Sequence, residues 1–178
     1  MKSITLGAVL FAGLALSACT AKAVFPHEVV KDVDPNFDFA HWRMLPNQAE
    51  AKKIQLGGRI VNAETKGDTV TIVVAQLPIV EHPAYGPKDT GKRSGEFAIS
   101  YQGTINSAFL QPGNRLIVIG TTHAPMVVNV DDLPRSLPTV SAACVHFWKT
   151  GGRDIADFPS YGGGYETLEE ETMCATKP

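Results

Sequence analysis

Ile54-Gln55-Leu56-Gly57-Gly58-Arg59-Ile60-Val61-Asn62-Ala63-Glu64-Thr65-Lys66-Gly67-Asp68-Thr69-Val70-Thr71-Ile72-Val73-Val74-Ala75-Gln76-Leu77 decides the fold. Its second half is rich in β-branched residues and is stopped by Pro78. That composition favours a pleated strand. Its first half places Ile54, Leu56, Ile60 and Val61 around Gly57-Gly58. Glycines inside a strand mark a bulge or sharp bend, and one is expected here. Between the halves, Glu64 to Asp68 is a short polar stretch containing Lys66-Gly67-Asp68. Two apolar runs around such a turn predict a β-hairpin.

Further along the chain, a polar loop from Glu81 to Ser94 holds Pro83, Gly86, Pro87 and Gly91. Gly95 to Tyr101 alternates with period two, the pattern of a half-buried strand. Gln102 to Leu110 connects, and Pro112-Gly113-Asn114 turns. Arg115 to Thr121 is a strand expected to bend at Gly120 and resume through Met126-Val127-Val128. Val140 to Trp148 is the last strand read. The sum is a mainly β protein of five to six strands with no long amphipathic helix. Closure into a small antiparallel OB-like barrel removes the exposed edges of such a chain; an open sandwich is the alternative. Residues 151–178 read as a flexible, Gly-rich acidic tail carrying Glu166, Glu169, Glu170 and Glu171, with one helical turn around Leu168.

Upstream, residues 19–50 form an approach segment interrupted by Pro26, Pro35 and Pro46. Phe25, Phe37, Phe39, Trp42 and Leu45 make it apolar enough to dock on a domain of residues 51–150, with a helical turn between Asp38 and Gln48. Residues 1–18 have the order of an export signal: Lys2, an apolar run from Ile4 to Leu16, then small residues. The run is too short for a spanning helix of about 20 residues. Leu16-Ser17-Ala18-Cys19 resembles the lipobox of bacterial lipoproteins. The resemblance implies cleavage before Cys19, a diacylglyceryl thioether on its sulfur and acylation of the new amino group. One acyl chain gives only marginal membrane binding, so several are needed for a stable anchor. Thr20, rather than an Asp, favours the outer membrane.

Cleavage leaves about 160 residues, the size of one domain. The full chain carries 16 Lys+Arg against 18 Asp+Glu, net −2. That balance argues against nucleic acid as a partner. Cys144 and Cys174 are the remaining thiols. An oxidising compartment permits a bridge between them, and the glycines at 151–152 and 162–164 let the chain return.

Leu56-Gly57-Gly58-Arg59-Ile60-Val61-Asn62, then Val73 to Ile79, Gly95-Glu96-Phe97, Phe109-Leu110-Gln111-Pro112 and Ile117-Val118-Ile119-Gly120 follow the lipobox in that order. Over residues 19–150 the chain resembles the Slp family, the starvation-associated outer-membrane lipoproteins of Gram-negative bacteria. The resemblance implies an anchor in the outer membrane and a link to starvation or stress. It brings no catalytic site to transfer. The acidic tail with Cys174 departs from the family pattern.

A search for reactive motifs finds no His-Glu-x-x-His, no Gly-x-Ser-x-Gly and no phosphate-binding glycine loop. His27, His41, His82, His123 and His146 show no metal-ligand spacing, so no metal and no cofactor beyond the lipid on Cys19 is expected. The candidate binding residues are Glu81, His82, Tyr85, Lys88, Lys92 and Arg93, because loops on a rigid barrel often carry binding. Lys88, Lys92 and Arg93 could meet anionic headgroups, lipopolysaccharide or an envelope protein. Tyr101, Phe109, Phe147 and Trp148 read as core aromatics rather than a stacking platform. The expectation is a non-catalytic binding or structural module. A periplasm-facing hydrolase with a site assembled from distant residues is the alternative.

Overall fold

The computed structural model describes residues 23–47, 50–82, 84–92, 94–158 and 167–175. Leu16, Ser17, Ala18, Cys19 and Arg93 lie outside the described residues. Eight strands follow one another: β1 (Lys53–Lys66), β2 (Thr69–Leu77), β3 (Ile79–Val80), β4 (Gly86–Pro87), β5 (Glu96–Gln102), β6 (Arg115–Val130), β7 (Leu133–Trp148) and β8 (Glu170–Cys174). Two short helices, α1 (His27–Val30) and α2 (Phe39–Met44), precede them, and a 3-10 turn spans Ile155–Asp157.

β1 and β2 form the expected hairpin, with Lys66 opposite Thr69 and Gly67 turning at φ 58°. β2 continues onto β5, β1 onto β6, and β6 onto β7, all antiparallel. A short parallel ladder, Ala98 opposite Thr139 to Ser100 opposite Ser141, joins β5 to β7. The pairing therefore runs β1, β2, β5, β7, β6 and back to β1, a closed ring of OB-like order. β5 covers only Thr139 to Ser141 of that side of β7. β8 takes up the rest, with Cys144 opposite Cys174 and Trp148 opposite Glu170.

Strand alternation divides the apolar residues between the inside and outside of the ring. Val70, Ile72 and Val74 of β2 and Phe97, Ile99 and Tyr101 of β5 enter the central core, with Leu116, Val118, Val140 and Phe147. Phe39 and Trp42 of α2 close one end of it, with Phe39 edge-on to Phe97 at 5.8 Å. Asp38 caps α2 by accepting from the His41 amide at 3.1 Å. The outer face of β6 and β7 carries Ile117, Ile119, Cys144 and Trp148, covered by Phe25 and Ile155. On the outer face of β2 and β5, Val73 and Ala98 lie under Val128, Val130 and Leu137. These last three come from the β6–β7 hairpin, whose far half folds back as an arm.

Several expectations need correction. The register shift of β1 lies between Ile60 and Asn62, not at Gly57-Gly58. Gly58 serves close approach instead: a Cβ there would lie 2.3 Å from Val74 Cγ1 and 2.5 Å from the Ala75 carbonyl oxygen. At Gly120 the expected irregularity is present, since the β6–β7 register shifts there. β7 starts at Leu133, seven residues before the strand read from sequence. Leu168 forms no helical turn but leads into β8, because the open side of β7 offers ladder hydrogen bonds. The tail thus contributes a strand, tied to β7 by a Cys144–Cys174 disulfide. Leu45 of the approach segment stays 41% exposed.

Gly58→Ala is expected to cost about 1–3 kcal/mol, the range for forcing extra volume into a packed site. Urea unfolding measures it. An unchanged midpoint would show that Val74 and the Ala75 carbonyl are not where they are placed. Replacing both Cys144 and Cys174 by Ala opens a 30-residue loop. The expected loss is about 3 kcal/mol. Melting of oxidised and reduced protein, compared with the double variant, checks it.

Candidate functional site

Gln55, Gly57 and Arg59 lie in a row along the outer face of β1. The β3–β4 ribbon crosses this row at Gly57, where a Cβ would meet Ile79 Cγ1 at 2.7 Å and Pro87 Cγ at 3.1 Å. Gly57 therefore admits the ribbon, and the ribbon divides the surface into two clefts. It also divides the loop residues picked out from sequence. Glu81, His82 and Tyr85 fall on one side and Lys92 on the other. Lys88 sits between, beside Asp154 and Ile155.

The first cleft, about 540 Å³, is closed by Ala23, Val24, Phe25 and Val30 of the N-terminal segment. Gln55 Nε2 donates to the Tyr85 hydroxyl at 3.0 Å across its floor. In a neighbouring hollow lies His146, buried and edge-on to Trp148 at 4.2 Å. His146 Nδ1 is 2.6 Å from Thr172 Oγ1, and that hydroxyl donates to the Val24 carbonyl at 2.9 Å. Thr172 has one proton to give. With Val24 receiving it, the imidazole must donate to Thr172 through Nδ1–H. This chain stitches the N-terminal segment to β7 through β8.

The second cleft, about 680 Å³, runs between the β6–β7 arm and the loop from Asp89 to Gly95. Arg135 of the arm pairs with Glu96 at 2.8 Å, and Arg59 faces Asp89 at 3.7 Å. Arg43, from the last turn of α2, lies across Gly95, so close that a Cβ there would meet its Nε at 2.9 Å. Beneath this surface Arg115 is 2% exposed and bonded to Asp154 at 2.5 Å. Burial lowers the pKa of Arg115, while the Asp154 carboxylate pulls it back up. Arg115 stands opposite Arg59 on the neighbouring strand, so Asp154 and Asp89 separate what would otherwise be two adjacent unscreened cations. The Lys52–Asp34 pair (2.8 Å) lowers the pKa of Asp34 and raises that of Lys52 through their hydrogen bond.

Among the described residues no three His, Cys, Asp or Glu side chains gather as a metal site requires. No helix among them is long and apolar enough to cross a membrane. Tyr101, Phe109 and Phe147 belong to the central core, and Trp148 is buried under the N-terminal segment. OB folds bind oligonucleotides and oligosaccharides on the face of their second and third strands. Here that face, on β2 and β5, is occupied by the arm. Sequence reasoning missed Arg43, Arg59 and Arg135, which converge from three separate elements. The outward alternation of Gln55 and Arg59 on β1 was the available signal.

The described residues form a closed β ring of OB-like strand order with both outer faces covered. The sequence model of the "Outer membrane lipoprotein Slp family" matches residues 16–168, and the chain belongs to that family. No curated protein and no solved structure matches it.

Arg115→Met is expected to destabilise the fold by about 1–3 kcal/mol, less than for a wholly buried pair because Asp154 is partly exposed to solvent. Equilibrium urea denaturation measures this, and parental stability in the variant would dismiss the ion pair as a structural element.

Proposed function

We propose that this Slp-family protein is a non-catalytic binding or structural module, held at the outer membrane by acyl chains on Cys19. As the family resemblance suggests, it serves the envelope in starvation or stress. One observation bears on where such an anchor would hold the domain: the N-terminal segment is docked at Phe25, which is 5% exposed. The four residues from Cys19 to Ala23 span at most about 14 Å even when fully extended. An acylated Cys19 would therefore keep the first cleft close to the lipid surface, with Val30 and Tyr85 exposed beside it. The family match begins at Leu16, so Cys19 falls within the matched residues.

Hydrogen-bond polarity supports the non-catalytic reading. His146 beside Thr172 has the components of a base and a nucleophile. Yet Thr172 gives its proton to Val24, which leaves the imidazole as donor. A general base must instead accept the nucleophile's proton.

Cys19→Ala is expected to accumulate as an unprocessed, unacylated precursor. Intact-mass measurement of the membrane-extracted parent should show a chain starting at Cys19 with added acyl mass. A variant that matures and fractionates as the parent does would sink the proposal.

A further inference from the structure

We propose that the second cleft is a binding site for a phosphorylated saccharide. Its volume, about 680 Å³, lies within the range of small-molecule sites, about 300–1,000 Å³. Its charges do not cancel. Arg59 and Arg135 are matched by Asp89 and Glu96. Among the described residues, Arg43 and Lys92 have no carboxylate partner, and both line the cleft. Two uncompensated cations match a phosphate dianion, whereas a lone carboxylate would leave one of them unanswered. The Arg43 guanidinium can give a phosphate two parallel hydrogen bonds.

The cleft also asks for more than an anion. Gln76 Oε1 is buried in its lining and receives no hydrogen bond. A buried acceptor without a donor costs about 1–3 kcal/mol, and a ligand hydroxyl would relieve that cost. Val61, Ala75 and Leu137 supply an apolar wall for the C–H face of a sugar ring. A nucleic acid strand fits poorly, because the cleft has no aromatic side chain on which bases could stack.

The site lies four residues along β1 from the first cleft, about 13 Å at strand rise. If the anchoring proposed above holds, a phosphorylated glycolipid headgroup is within reach. A soluble sugar phosphate offers the same chemistry. Binding in detergent solution does not depend on that anchoring, so the two readings can fail separately.

The experiment is calorimetric titration of the full-length protein in detergent with glucose 1-phosphate, glucose and inorganic phosphate. Glucose 1-phosphate should bind at least roughly tenfold more tightly than either of the others. Arg43→Gln with Lys92→Gln changes two exposed side chains. It should keep the parental melting temperature and bind at least about tenfold more weakly. Gln76→Glu, which sets a carboxylate in the cleft, should also weaken binding. Competition by nanodiscs carrying a phosphorylated glycolipid would assign the headgroup as ligand. Binding of glucose 1-phosphate without such competition would uphold the site with a soluble ligand. No binding at millimolar glucose 1-phosphate, equal affinity for inorganic phosphate, or parental affinity in the Arg43/Lys92 variant would overturn the proposal.

Discussion

Three residue pairs between β5 and β7, from Ala98–Thr139 to Ser100–Ser141, close the ring, and the rest of the structure is arranged around that closure. Without them β5 and β7 would be the two long edges of a sheet, open to pairing with another chain. The parallel ladder is short because β5 ends at Gln102 while β7 continues to Trp148. β8 supplies the missing neighbour, and the disulfide fixes it where β5 no longer reaches. The outermost strand is then β8, short and bearing Glu170 and Glu171. A brief, charged edge is a poor template for further strand addition.

Closure leaves a second problem, since several strands are apolar on both faces. The central core consumes one face of each strand. Ile117, Ile119 and Trp148 on one outer surface, and Val73 and Ala98 on another, still need cover. The N-terminal segment with the 3-10 turn covers the first, and the arm covers the second. Both covers are local chain rather than added domains. What remains accessible is the strip of β1 between them, carrying Gln55 and Arg59. The clefts form there because neither cover reaches across.

Much of the ring was legible in sequence because its physics is local. Thr69 to Leu77 is β-branched and bounded by Gly67 and Pro78, so its strand could be read without any partner. Leu133 to Pro138 gives no strand signal, because two prolines and two polar residues resemble a loop. The structure uses them in an arm, with Pro134 opposite Asn129 near the tip, where Asp131 and Asp132 turn at φ 51° and 62°. Proline is tolerated where a ladder runs out. Glu169-Glu170-Glu171 resembles a tail for a similar reason: charge on an edge strand looks like solvated chain until its neighbour is known. Of the second cleft, only Lys92 and the outward alternation of Arg59 are legible in sequence. Arg43, Arg59, Lys92 and Arg135 share no spacing, and only ring closure and the fold-back of the arm bring them together.

The placement of glycine links the fold to the site. Gly57 faces outward in the middle of β1, where a side chain would ordinarily fill the strip between the covers. Its lack of a Cβ lets Ile79 and Pro87 cross at contact distance. The crossing turns one continuous groove into two clefts of different character. The one beside the N-terminal segment is closed by apolar residues and Tyr85, while the one beside the arm is rimmed by guanidinium groups and Lys92. A side chain at this position would meet Ile79 and Pro87 and displace the ribbon between the clefts. One missing methyl group thus sets where the ribbon crosses and how the strip of β1 is divided into two clefts.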